Sequence, residues 1–277
     1  MARDFDKLAH LIAQHVDNLQ RLAEGWSDDL IALYDDTEAK AYVLIDEAMT
    51  LLDDGTGVPS AERVRRLTNL KREISALRAL CYKEIHEELK KQVAALQKNE
   101  EKFNVAWILL LYSQAGLSKP NVGELSEKTS ESIQRQGVYS GDTIAEIVRK
   151  MQAADEERVY KALVQAIALK QSKTKIRERL KKAFGTSRRQ IQVNANLIVN
   201  GVSNDTAVAV YEKNKKILSG VMWITALDDR VCEECGMFEG EVFTAGDEPP
   251  CPLHPNCRCH LVPVTLDLED DIKKALV

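Results

Sequence analysis

The sequence predicts a mainly α fold, an elongated helical bundle with a small C-terminal cysteine-histidine knuckle that contains short β-strands. Apolar residues recur every three or four positions through most of the chain before Gly220. Glycine and proline are scarce, 13 and 7 in 277 residues, so helices have few interruptions. Five of the six cysteines fall between Cys232 and Cys259, where the helical period gives way to short alternating runs.

The elements follow in order. Phe5, Leu8, Ile12, Leu19 and Leu22 share a helical face with His15, and predict a helix over 4–24. Gly25 is a stop signal, with a second helix over 28–52. The stretch DDGTGVP at 53–59 is a breaker, and Ser60 is a candidate N-cap for the next helix. Val64, Leu67, Leu70, Ile74, Leu77, Cys81, Ile85, Leu89, Val93 and Leu96 then form one long apolar stripe. It fits a bundle helix or an intermolecular coiled coil. Gly116, Pro120 and Gly123 mark the next break, and the polar residues 121–141 predict a short helix plus loop.

Helix resumes near Asp142, with Ile144, Ile147, Val148, Met151, Val159, Leu163 and Ile167 at helical spacing. A shorter helix from Lys173 to Phe184 is expected to stop at Gly185, another to run from Ser187 to Asn200 and stop at Gly201, and a third to span 205–217. Past Gly220, VMWIT, GEVF and HLVPVT predict three strands.

Composition narrows the class. Apolar residues make up 44% and charged residues 29%, an ordinary balance for a globular chain, while aromatics are only 5%. The longest apolar run, Val105–Tyr112, is eight residues, far short of the roughly 20 that cross a bilayer. No membrane association is expected, and MARDFDKLAHLIAQH has no apolar core of a signal peptide. The net charge of −5 is segregated: Lys170–Arg189 holds nine basic residues and one acid, and the chain from Asp228 onward holds twelve acids and four basic residues. There is no Walker loop, dinucleotide-binding glycine fingerprint, H-E-x-x-H or G-x-S-x-G.

Cys232 and Cys235 form C-x-x-C, and His254 and Cys257 form H-x-x-C eighteen residues later. Two such corners converge on one tetrahedral zinc ion, because a tight turn brings each pair of side chains to one point. Cys232, Cys235 and His254 are the expected ligands, with Cys257 or Cys259 as the fourth. Extended backbone at NCRC puts Cys257 and Cys259 on one side, so side-chain direction does not choose between them. A closed four-ligand site is structural rather than catalytic. Reduced core thiols and a disulfide are the alternatives.

Lys173, Lys175, Arg177, Arg179, Lys181, Lys182, Arg188 and Arg189 are candidate phosphate contacts for double-stranded DNA. Ile176, Leu180 and Phe184 punctuate that run, so a buried stripe with a solvated or protein-binding basic face is the competing reading. Asp228, Asp229 and Arg230 read as a turn that braces the first corner. The sharper alternative is a zinc-knuckle nuclease using Asp228 with His254 or His260.

The order T-A-L-D-D-R-V-C-E-E-C, a Phe-Glu-Gly turn, and P-L-H-P-N-C-R-C-H-L-V-P-V closely resembles the C-terminal signature of the phage Mu F-like head morphogenesis, or minor head protein, family. The upstream K-Q-S-K-T-K-I-R-E-R-L-K-K-A-F-G-T-S-R-R-Q is similar to the same family's helix, Phe-Gly turn and next helix. The likeness covers about residues 165–265. It implies a non-enzymatic minor capsid component, associated with the portal and the capsid interior, that acts in procapsid assembly and in DNA packaging or ejection. Implied partners are the portal protein and capsid or scaffold proteins, and the implied locations are the virion and the host cytoplasm during assembly. The resemblance supports Asp228 and Arg230 ahead of the knuckle and Cys232, Cys235, His254, Cys257 and Cys259 as its cysteine-histidine set. Cys251 lies outside the family pattern. The Arg-Thr-Glu triplet of many members is also absent, its place taken by Q-V-N-A-N-L-I-V-N. The expected organisation is a long-helix region over 1–119, a helical region with the basic stretch over 120–220, the zinc-knuckle module over 221–266 and an acidic tail over 267–277.

Overall fold

The computed structural model describes residues 5–52, 60–135, 141–169, 171–226 and 228–265. The 53–59 breaker, Gly137, Lys170, the acidic tail and the side chains of Phe5, Val64, Leu67, Ile167 and Lys173 lie outside the described residues.

Five long or medium helices come first: α1 (Phe5–Leu52), α2 (Ser60–Gln114), α3 (Glu127–Arg135), α4 (Ile144–Ala168) and α5 (Lys173–Lys213). β1 (Gly220–Ile224), the one-turn α6 (Glu233–Gly236), β2 (Val242–Phe243) and β3 (His260–Val264) follow. The mainly α class, the three short strands and the break at Gly116 agree with the sequence reading.

Three predicted helix stops do not occur. α1 continues through Gly25, and α5 continues through both Gly185 and Gly201. A glycine inside a helix costs only about 1 kcal/mol relative to alanine. Burial on either side outweighs that. Phe184 and Ser187 flank Gly185 in the core, and Ile198 and Val202 flank Gly201. Two positions in the apolar stripes also shift. Leu22 is exposed, and the fully buried residue beside Leu77 is Arg78.

The chain divides into two compact units. One comprises 26–89 and 145–192. Its core holds Leu30, Ile45, Ile74, Ile85, Leu89, Ile176, Leu180 and Phe184. At its centre Arg78 pairs with Asp155, and both side chains are buried. The hydroxyls of Tyr34, at 2.7 Å, and Ser187, at 2.5 Å, donate to the same carboxylate. The Arg78 guanidinium also lies over the Phe184 ring, 5.0 Å from its centroid. Bonded in this way, a buried charge pair is tolerated, and removing one partner alone would strand the other.

The other unit comprises 1–25, 90–144 and 193–277. It contains an antiparallel sheet in the order β2-β1-β3. Side chains alternate across the sheet. Met222, Ile224, Val262 and Val264 pack with Leu8 and Ile12 of α1 and with Trp107 and Leu111 of α2. Val221, Trp223 and Leu261 face the other way and pack with Val210 and Tyr211 of α5, in one cluster with Cys235, Cys251, Cys257 and Cys259. Gly220 is required where β2 crosses β1, because a Cβ there would lie 2.6 Å from the Phe243 carbonyl oxygen. No helix among the described residues is long and apolar enough to cross a membrane.

Candidate metal centre

The two cysteine corners are built differently. Cys232 caps α6: its backbone is extended and its sulfur accepts the Cys235 backbone N–H at 3.3 Å. That one bond curls the C-x-x-C segment so that both sulfurs face the same point. The second corner is a turn closed by the Cys257 N–H donating to the His254 carbonyl at 3.0 Å.

The corners meet. His254 Nε2 lies 3.2 Å from Cys232 Sγ and 3.1 Å from Cys235 Sγ, and Cys235 Sγ lies 3.7 Å from Cys257 Sγ. A tetrahedral ion with bonds of about 2.3 Å to sulfur and about 2.0 Å to nitrogen sets its donors roughly 3.5–3.8 Å apart. The two His254–sulfur spacings are slightly shorter than that, and the Cys235–Cys257 spacing matches it. His254 Nδ1–H donates to the Pro255 carbonyl at 2.9 Å, which fixes the tautomer and turns the Nε2 lone pair toward the sulfurs. Among the described residues two donor groups satisfy ligand spacing: Cys232, Cys235 and His254, and the buried trio Cys235, Cys257 and Cys259. The donor set of soft thiols and one imidazole suits a divalent metal of the zinc type. All six cysteines are unpaired, so the disulfide alternative is not realised.

Electrostatics of the thiols point the same way. The Cys235 N–H holds the Cys232 thiol below the usual cysteine range. Hydrogen bonds from the Cys251 and Cys259 thiols hold Cys257 far below it. That one favoured thiolate drives Cys259 well above the range, while burial pushes Cys235 up to about 12. Crowded thiols cannot all ionise unaided, and a bound cation relieves that repulsion.

Around the knuckle lies a polar frame that sequence reading missed. Asn200 Nδ2 donates to the Cys257 carbonyl at 2.6 Å, and Asn204 Nδ2 to the Cys259 carbonyl at 3.1 Å. Asn204 Oδ1 in turn accepts the Leu261 N–H at 3.0 Å. Two asparagines four residues apart in a helix interior are unfavourable on propensity, and that was the available signal.

The Asp228 turn is indeed a brace. Its carboxylate takes both arms of Arg258, each at 2.6 Å, and also the Arg230 side chain at 2.9 Å. The Arg258 hydrogen bonds, followed by those from Arg230, hold the Asp228 carboxyl well below the usual carboxylate range. His260 is buried on β3 and edge-on to His15, whose own ring stacks on Phe103 at 3.6 Å. Burial first, and then His15, push the His260 imidazole down to about 4.

The basic stretch is divided by its contacts. Arg177 pairs with Asp46, Arg188 pairs with Asp35 and Glu38, and Arg179 donates to the side-chain amides of Gln171 and Gln165. Lys175, Lys181, Lys182 and Arg189 are exposed on α5.

Residues 128–262 match the family model described as Phage Mu protein F like protein. The matched stretch runs from α3 into β3 and includes the basic stretch, Asp228 and every knuckle donor. No curated protein and no solved structure matches the chain.

Proposed function

We propose that this chain, phage Mu F-like over residues 128–262, is a structural minor head protein that binds the portal and the capsid interior during procapsid assembly. The match carries this reading, because it spans the whole knuckle together with α5, on which the knuckle is held. The helices of 1–119 and 120–220 supply protein contacts. The module over 221–266, whose own core is small, is braced by zinc held by Cys232, Cys235, His254 and Cys257. The 3.7 Å separation of the Cys235 and Cys257 sulfurs favours Cys257 as the fourth ligand, with Cys259 beside it. The protein is expected in the virion, and in the host cytoplasm while heads assemble.

Co-expression with a portal protein encoded beside it tests the reading. The two proteins should co-purify, with zinc present in the same sample. A chain that ignores portal and capsid proteins alike contradicts it.

Exposed Lys175, Lys181, Lys182 and Arg189 support a second role, non-specific contact with the double-stranded DNA that such heads package or eject. Four phosphate contacts would make log affinity fall with log salt at a slope of roughly −3.6. Arg177 and Arg188, already ion-paired, contribute less. The nuclease alternative has weaker support: the Asp228 carboxylate is engaged by two arginines, His254 sits among the ligands, and His260 is buried.

A further inference from the structure

A single tetrahedral ion uses four donors, yet six gather at the knuckle. Cys235 belongs to both donor groups, and Cys257 lies 3.7 Å from it. Cys235 is thus the sulfur common to a group with Cys232 and His254 and a group with Cys257 and Cys259. Cys251 lies beside the second group without belonging to it. It is buried at 8% exposure, packs in the same cluster, and donates through its thiol to the Cys259 carbonyl at 3.2 Å. The cis Cys251–Pro252 bond lies in the loop that leads to His254.

We propose that the knuckle holds two metal ions bridged by the sulfurs of Cys235 and Cys257, one completed by Cys232 and His254 and the other by Cys251 and Cys259. The proposal rests on the zinc reading above and adds a second site, built on a cysteine outside the family pattern.

Charge favours the arrangement. Two divalent ions against five thiolates and a neutral imidazole leave one excess negative charge, a modest burden beside the Arg258 guanidinium. Each thiol releases its proton as its metal–sulfur bond forms. Loss of the Cys251 proton strands no acceptor, because the Cys259 carbonyl also receives the Asn204 amide. Cysteine sulfur is a ligand able to bridge; Cys235 belongs to both donor groups, and Cys257 Sγ is 3.7 Å from it.

Metal counting on the full-length chain, purified under reducing conditions, tests this. Native mass spectrometry and elemental analysis should give two zinc ions per chain. The cadmium-substituted protein should give two cadmium NMR resonances coupled through the shared sulfurs. Cys251→Val should lower the count from two to one and leave a single resonance. One ion per chain with a lone cadmium resonance overturns the second site and leaves the zinc reading standing. No bound metal overturns both. The count and coupling of the unmutated chain decide the matter even if Cys251→Val does not fold.

Discussion

Asp228 holds Arg258 by both guanidinium arms, each at 2.6 Å, across thirty residues of chain. Arg258 stands between Cys257 and Cys259, so this pair ties the turn before the first cysteine corner to the strand entry after the second. It fixes the direction of the backbone that presents the sulfurs, although neither residue is itself a ligand. Partners of this kind typically alter metal affinity by about 10–100-fold. Asp228→Asn should therefore leave the fold intact and weaken zinc by about that factor in a competition titration with a coloured chelator. An unchanged affinity would show that the pair acts elsewhere.

Asn204 makes the complementary attachment on the helix side. Its amide donates to the Cys259 carbonyl and accepts from the Leu261 N–H, both buried. Asn204→Ala strands the Leu261 N–H and leaves the Cys259 carbonyl with the weak Cys251 thiol donor, and a stranded buried group costs roughly 1–3 kcal/mol. Urea unfolding should show a loss of about 1–3 kcal/mol. Asn204→Asp should recover part of this, because it keeps the acceptor for Leu261.

Asp205 supplies a pH signature. Burial pushes its carboxyl up to about 7. The folded chain therefore binds this proton more tightly than the unfolded chain, whose group titrates near the ordinary aspartate value. The resulting stability is full below about pH 4 and is lost as pH rises through about 7. Replacement by asparagine should flatten that part of the profile and raise stability at pH 8, by up to about 4 kcal/mol. Denaturant melts at pH 5 and pH 8 on both forms provide the check, and parallel profiles would contradict it.

Some of this was legible in the sequence for identifiable reasons. The strands announced themselves by alternation around Trp223, Val242 and Leu261, and the candidate ligands by two short, regularly spaced pairs. Long-range packing was not legible. Gly185 and Gly201 read as stops because local propensity is all a sequence window contains, whereas the burial that carries α5 past them involves residues distant in the chain. Arg78 hid in an apolar stripe because its partner, Asp155, is 77 residues away. The roles of Asn200 and Asn204 were not legible, because the knuckle carbonyls they bond lie more than fifty residues along the chain. Arg177 and Arg188 counted as free basic charge until their carboxylates came into view.

The central claim is that a bound metal clamps the two cysteine corners into one rigid piece. Thermal unfolding of the full chain before and after treatment with a strong chelator, followed by near-ultraviolet circular dichroism, tests it most directly. Trp223 packs against Phe238 at 5.3 Å in the cluster that holds Cys235, so its signal follows the knuckle. The account predicts that chelation erases part of that signal and lowers the midpoint by roughly 5–10 °C, and that zinc restores both. A chelated, metal-free chain with the same spectrum and the same midpoint would contradict it.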